Sequence, residues 1–275
     1  MAPWEKLITP RQPDSHKGDY GRVLVIAGSR GMAGAAVLAG EAAYRAGAGL
    51  VYYCCPANLA DVLSIKQTCG VVWPFEERSA VQQILEYSMK CDVAIIGPGL
   101  SVAPAIAAAV REIVGALEIP FVLDADGLNA FEAFPELLGR GQAPRVITPH
   151  PGEAARLLKS LPTDVQTDRS AVVKELAERF LSVAVLKGHR TLVADGKQVY
   201  VNKTGNPGMA TGGSGDVLSG VIGGLIGQKL SPFDAACLGS ALHGKAGDIA
   251  ARKLGQASMM ATDILNALPE AFRKA

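Results

Sequence analysis

Short apolar runs rich in β-branched residues recur along the chain, and alanine-rich stretches with helical spacing separate them. That rhythm predicts parallel strands alternating with helices. The strand-like runs fall at 22–27 (RVLVIA), 50–54, 71–73, 92–96, 121–123, 145–148 and 184–186. The helix-like stretches fall at 34–46, near 80–87, at 104–117 with Pro104 suited to a first turn, and at 169–180. Two further runs, 192–194 and 199–201, flank Asp195-Gly196 and predict a β-hairpin. A hairpin this late adds antiparallel strands at one edge of a mostly parallel sheet. Residues 217–272 then read as helical. The expected fold is α/β, a three-layer α/β/α sandwich. Gaps between elements are short, and no linker, fixed-period repeat or low-complexity segment appears, so residues 1–275 are expected to form a single domain.

Polar and glycine-rich residues gather where the strands end. The runs break at Gly28-Ser29, at Gly97-Pro98-Gly99-Leu100, at Asp124-Ala125-Asp126-Gly127, at Pro149-His150-Pro151-Gly152-Glu153 and at Lys187-Gly188-His189-Arg190-Thr191. Ligands collect at the carboxyl ends of strands in open parallel sheets.

The densest signal is NPGMATGGSGDVLSG, residues 206–220. Four glycines there precede Asp216 and an apolar run over 217–226 with the look of a buried helix. A glycine-rich turn feeding a helix N-terminus aims unpaired N–H groups at one point, and the helix dipole favours negative charge there. Gly212, Gly213, Ser214 and Gly215 are therefore candidates for an anion hole. Glycine lets the turn visit positive φ and lets a phosphate approach without meeting a Cβ. A carboxylate among such donors is expected to stay ionised and to accept a proton from a hydroxyl beside the anion. Phosphate plus base points to phosphoryl transfer. The plainer alternative makes Asp216 a capping carboxylate before a packed helix.

Composition narrows the partners. The chain is 49% hydrophobic but only 5% aromatic, so its core must be built mainly from Ala, Val, Leu and Ile. A formal charge of +1 provides no field for nucleic acid, which leaves a small-molecule partner. Five cysteines, Cys54, Cys55, Cys69, Cys91 and Cys237, show neither CxxC pairs nor zinc spacing. An odd count argues against a disulfide framework and suits a reducing cytoplasm. The opening MAPWEKLITPRQPDSHKG has no signal-peptide core, and no apolar stretch has the length of a membrane span.

Taken jointly, HKGDYGRVLVIAGS (16–29), IIGPGL (95–100), VLDADGLNA (122–130), ITPHPGEAARLL (147–158) and GGSGDVLSG (212–220) resemble the ADP-dependent NAD(P)H-hydrate dehydratases of the ribokinase-like superfamily. The similarity runs in order over roughly 16–267. It implies a ribokinase-like fold and a hydro-lyase of metabolite repair. Such an enzyme restores NADH or NADPH from the hydrates NADHX and NADPHX, with ADP as co-substrate, Mg²⁺ as cofactor, and AMP and phosphate as products.

Position by position, the resemblance makes Asp216 the catalytic base and a substrate contact, joined by Ala35, Gly99 and His150. It assigns Lys187, Gly188, His189, Arg190, Thr191 and Gly215 to the nucleotide, and it gives Glu153 an indirect role at the metal. Asp124 and Asp126 remain candidate ligands for metal or water, and Asp126 equally suits a helix cap. For Ala35 and Gly99, tight packing stays an open alternative. His150 stands where many ribokinase-like kinases carry Asn, which favours the dehydratase branch. Ser101 and Ser214 replace residues common in the family, glycine and threonine respectively. Many relatives carry an added epimerase domain, so a separate epimerase is expected, and family members are commonly homotetramers. Two rival readings are a kinase of a small alcohol, such as a thiazole or pyrimidine precursor, and a nucleotide-binding sensor without turnover.

Overall fold

The computed structural model describes Leu7 and residues 10–273, so most of the first nine residues searched for a leader lie outside the described residues. The elements in chain order are β1 (Arg22–Ile26), α1 (Ala33–Arg45), β2 (Leu50–Pro56), α2 (Ala60–Lys66), β3 (Val71–Phe75), α3 (Ala80–Ser88) and β4 (Val93–Ile96). Next come α4 (Pro104–Ala116), β5 (Phe121–Leu123), α5 (Asp126–Asn129), β6 (Arg145–Ile147), α6 (Pro151–Leu158), α7 (Pro162–Thr167), α8 (Arg169–Arg179) and β7 (Val183–Leu186). The chain closes with β8 (Leu192–Ala194), β9 (Val199–Val201), α9 (Ser214–Gly227), α10 (Pro232–Leu254) and α11 (Ala261–Arg273).

The strands form one sheet in the order β3-β2-β1-β4-β5-β6-β7-β8-β9. Pairing is parallel from β3 through β7 and antiparallel for β7–β8 and β8–β9, which is the expected mixed edge. Chain order reverses between β1 and β4, and the carboxyl ends beside such a switch point open a crevice. Side chains alternate across a strand, so each strand feeds two cores. Val23 and Val25 enter a core with α1, α9, α10 and α11, whereas Leu24 and Ile26 enter one with α3, α4, α6 and α8. Helices therefore cover both faces, as the pattern predicts.

Helices α2, α5, α6 and α7 are not among the expected elements. Each has eight residues or fewer, too short to show a hydrophobic period. Of these, α6 and α7 carry a start signal, with Pro151 and Pro162 in their first turns.

Helix α9 is apolar nearly all round and almost wholly buried. It can lie this deep because its glycines remove the bulk between it and its neighbours. A Cβ on Gly220 would strike the Ala39 carbonyl of α1, and one on Gly224 would stand 2.6 Å from the Ala43 carbonyl. On the sheet side, a Cβ on Gly223 would stand 2.5 Å from Ile95 Cγ1, and one on Gly227 would stand 3.4 Å from Val23 Cγ2. The small-residue faces of α1 and α9 are thus used against each other.

Gly220→Ala should lower the urea midpoint by the equivalent of about 1–3 kcal/mol, the usual cost of overpacking against backbone. Gly115→Ala is the control: no heavy atom lies within 4 Å of its Cβ position and it sits in α4, so a gain of up to about 1 kcal/mol is expected. Equal midpoints for the two variants would show that α1 and α9 are free to move apart.

Candidate active site

Neighbouring strand ends bring three side chains together. Asp124 follows β5, His150 follows β6 and Lys187 follows β7. Lys187 Nζ donates to Asp124 Oδ1 at 2.7 Å and lies 3.7 Å from Glu153 Oε2. Its backbone N–H donates to the Pro149 carbonyl at 2.9 Å, which ties β7 to the segment before His150. Burial alone would lower the lysine pKa, but the charges of Asp124 and Glu153 outweigh it and the net shift is upward. Lys187 therefore stays cationic. Asp124 is fully buried, and its Oδ2 has no hydrogen-bond partner among the described residues.

Gly215 lies directly over this ion pair. A Cβ there would stand 3.3 Å from Lys187 Nζ and 3.6 Å from Asp124 Oδ2. Gly213 caps α9 with φ 90°, and a Cβ on it would stand 2.5 Å from Leu38 Cδ1. Both the left-handed conformation and the contact with α1 call for glycine. Gly212 faces open space. At the start of α9 the Ser214 N–H is turned back onto the Thr211 carbonyl at 3.3 Å, while those of Gly215 and Asp216 have no acceptor among the described residues. Of the four residues of the expected anion hole, Ser214 turns its N–H away, whereas those of Gly212, Gly213 and Gly215 have no acceptor among the described residues, and the Asp216 N–H joins them.

The structure corrects two expectations for Asp216. The helix starts two residues earlier, at Ser214, so Asp216 is its third residue and Gly213, not Asp216, is the cap. Nor is the carboxylate held ionised by surrounding donors, since no hydrogen bond reaches it from the described residues. Burial, then the negative charge of Asp124, push its pKa up to about 7, with Lys187 pulling the other way. The carboxyl thus titrates near neutrality, where a general base is most effective.

His150 is the cap of α6. Its Nδ1 accepts from the N–H groups of Gly152 (3.0 Å) and Glu153 (3.2 Å), and Glu153 Oε2 in turn accepts from the His150 N–H at 2.7 Å. A ring nitrogen used as an acceptor leaves the proton on Nε2, which lies 3.5 Å from Glu153 Oε1. Burial lowers the His150 pKa, Glu153 raises it and Lys187 lowers it, with the net shift downward, so the ring is a neutral Nε2–H donor. Half of the side chain is exposed. Glu153 is buried with both oxygens close to His150 or Lys187.

Gly99 and Ala35 meet at the switch point. Gly99 has φ 63°, and a Cβ on it would stand 3.0 Å from Ala35 Cβ and from the Met32 carbonyl, so packing of the 97–100 turn on α1 accounts for the glycine. Two residues on, Ser101 also has a positive φ, 79°, and donates its N–H to Asp126 Oδ2 at 2.8 Å. Asp126 also accepts from Asn129, which makes it the anchor of that turn. The cap of α5 is Ala125, itself at φ 50°.

Residues 187–191 form the turn between antiparallel β7 and β8. Gly188, His189 and Arg190 are exposed, and Thr191 Oγ1 donates to the Gly188 carbonyl at 3.1 Å.

Three residues of the site's framework escaped the sequence reading. Arg169 braces the 187–191 turn, donating to the carbonyls of Leu186 (3.0 Å) and Lys187 (3.3 Å). His243 of α10 is buried with Nε2 at 3.3 Å from Ser214 Oγ, and burial pushes its pKa down to about 4. Asp248, further along α10, accepts from Gly205 N–H and Asn206 Nδ2, each at 3.0 Å. His243-Gly244 and Gly247-Asp248 on one helical face offer a signal, since a Cβ on either glycine would strike Thr204 or Met209 of the glycine-rich segment.

The raised pKa of Asp216 carries a stability cost. Between the ordinary carboxyl value and about 7 the folded state holds a proton that the unfolded chain has released, so stability falls as pH rises through that window. Asp216→Asn removes the penalty. In buffer free of metal and nucleotide its Tm should exceed that of the unaltered protein at pH 8, by about 2–4 °C per kcal/mol relieved, and the gap should shrink toward pH 5. A gap that widens on acidification would contradict the assignment.

Residues 23–270 match the sequence profile of the NAD(P)H-hydrate dehydratase family. The chain is 47% identical to a bifunctional NAD(P)H-hydrate repair enzyme of Moorella thermoacetica, over 99% of this chain and 53% of that protein. It therefore spans about half the length of the bifunctional relatives it matches. It is 41% identical to the ADP-dependent (S)-NAD(P)H-hydrate dehydratase of Neisseria meningitidis, over 90% of this chain and 83% of that one. In structure it resembles the ADP/ATP-dependent NAD(P)H-hydrate dehydratase of Bacillus subtilis co-crystallised with ATP/Mg²⁺. That TM-score is 0.87 at 29% identity, covering 98% of this chain and 95% of the other. The layered sheet with its antiparallel edge is thus the ribokinase-like fold, and the chain belongs to the NAD(P)H-hydrate dehydratase family.

Proposed function

We propose that this chain acts as one catalytic domain that dehydrates NADHX and NADPHX to NADH and NADPH, driven by conversion of ADP to AMP and phosphate. The observation that carries the reading is the stacking of three functions at one helix start. The carboxylate of Asp216, the unused N–H groups of Gly215 and Asp216, and the Lys187–Asp124 pair beneath Gly215 all converge there. Hydroxide is a poor leaving group. In its ionised form Asp216 takes the proton of the ring hydroxyl as that oxygen attacks the terminal phosphorus of ADP, and AMP departs. The hydroxyl becomes a phosphate ester, the ring nitrogen lone pair expels phosphate, and a proton lost from the next ring carbon restores the double bond. Lys187 and the two N–H groups stabilise the charge on the transferring group. His150, with Nε2–H fixed by its capping role, donates to the dinucleotide from the rim of the crevice.

No group of three or more His, Cys, Asp or Glu among the described residues is placed to hold a metal ion. Among the described residues, one buried carboxylate oxygen, Asp124 Oδ2, is without a partner. That fits Mg²⁺ carried mainly by phosphates and touched by one protein carboxylate, Asp124, where it would offset charge between the phosphoryl groups. Free thiols at all five cysteines support a reducing, cytoplasmic setting, and no helix among the described residues is long and apolar enough to cross a membrane. A homotetramer and cooperation with a hydrate epimerase follow from the family resemblance.

The direct test follows near-UV absorbance in Mg²⁺ buffer with hydrated NADH and either ADP or ATP. Return of the reduced nicotinamide band should require nucleotide, and Asp216→Asn should slow it by about a hundredfold or more with nucleotide binding retained. A stable phosphorylated product of a small alcohol, with no recovery from either hydrate epimer, would establish the kinase reading instead.

His150 has separable structural and chemical roles. His150→Ala should lose about 1 kcal/mol of stability together with affinity for the dinucleotide, because cap and imidazole go together. His150→Asn keeps a capping side chain, so its Tm should be near that of the unaltered protein while KM for the dinucleotide rises more than KM for ADP. An unchanged dinucleotide KM in His150→Asn would remove the ring from the substrate site.

A further inference from the structure

The sheet order separates the two ends of the crevice. The residues assigned to nucleotide, 187–191, lie between β7 and β8, whereas Gly99 lies at the end of β4, beside β1. An attacking oxygen lies roughly in line with, and opposite to, the leaving group. A dinucleotide whose ring hydroxyl attacks ADP must therefore lead its second half away from β7, toward β1, β2 and β3.

At that end the structure holds an opening of about 550 Å³ lined by Arg30, Gly31, Gly34, Asn58, Leu59 and Val62. The volume is within the range of small-molecule sites. Ala33 also lines it, and Ala35 in the same first turn of α1 packs on Gly99, so one helix turn separates the opening from the expected nicotinamide end. Its polar and apolar parts are separated. Arg30 is exposed, and no carboxylate or hydrogen-bond acceptor among the described residues engages its guanidinium. The Ser29 hydroxyl beside it is buried without a partner among the described residues. Gly31 and Gly34 have open space where a Cβ would be, which leaves backbone accessible to a ligand. Val62, 44% exposed, provides an apolar surface, and the buried Leu59 lines the wall. An adjoining opening of about 500 Å³ shares Asn58 and carries Glu76, Glu77 and Arg78, two anions against one cation.

We infer that this opening receives the adenylate half of the dinucleotide, with Arg30 on the adenylate phosphate and the adenosine over Val62 toward Asn58. The inference rests on the dehydratase reading above. It makes Arg30 a residue that distinguishes a dinucleotide from a mononucleotide, by charge-assisted hydrogen bonds to the adenylate phosphate, which the smaller ligand lacks.

The test is calorimetric binding of NADH and of reduced nicotinamide mononucleotide to the full chain, with the nucleotide site filled by a methylene analogue of ADP. The unaltered protein should bind NADH about tenfold or more tightly than the mononucleotide. Arg30→Glu should abolish most of that difference, Arg30→Lys should retain part of it, and affinity for the mononucleotide should stay the same in all three. Because Arg30 is exposed, the substitutions leave the core intact. Equal affinities for the two ligands in the unaltered protein, or NADH binding indifferent to Arg30→Glu, would overturn the subsite while leaving the dehydratase reading in place. Binding of neither ligand to the unaltered protein would overturn both.

Discussion

The site depends on one steric constraint, the backbone-to-backbone approach of α9 to α1. Gly220 and Gly224 remove the side chains that would hold the helices apart, and the carbonyls of Ala39 and Ala43 fill the space. Gly213 repeats the arrangement at the N-terminal end of α9, against Leu38. With α9 held along its length, its first turn is aimed at the ends of β5 and β7, and Asp216 is held there partly buried. The same contact places Ala35, in the first turn of α1, on the opposite side of the crevice from Lys187.

Within that frame the charges are unbalanced. Asp124, Glu153 and Asp216 act on a single lysine, Lys187, which pairs with Asp124 and lies near Glu153, and Asp126 adds its negative charge to the surroundings of Asp216. Asp216 is left to bear the desolvation. A protein selected only for stability would not bury a carboxyl in this way. The strained backbone at Ala125 and Ser101 lies in the same neighbourhood, on either side of Asp126 in space. Destabilising features concentrated around one crevice are the physical mark of a working site.

Much of this was legible in the chain. Strand runs such as 22–27 and 92–96 are continuous and β-branched because both faces of the sheet are covered, and a run of that kind is hard to mistake. The glycine-rich turn and Asp216 were legible because a close approach to backbone leaves a compositional trace. Short helices were not, since a turn or two of helix shows no period. The state of Asp216 was also out of reach. Its pKa is set by burial and by Asp124, 92 positions earlier, and only the packing of α9 brings the two together. Arg169 and His243 were missed for the same reason: each acts on a turn distant in sequence, through backbone or a hydroxyl, and a lone basic residue in a helix looks like any other.

The division of each strand between two cores has a consequence for how the chain comes to be folded. Val23 and Val25 on β1 are covered by α9, which is synthesised roughly 190 residues later. At about 5–20 residues per second, that face of the nascent sheet waits ten seconds or more for its lid. Contacts this distant in sequence close slowly, and an uncovered apolar sheet face is where growing chains adhere to one another. The glycines that let α9 seat so deeply therefore also make its arrival the step that ends the chain's most vulnerable period.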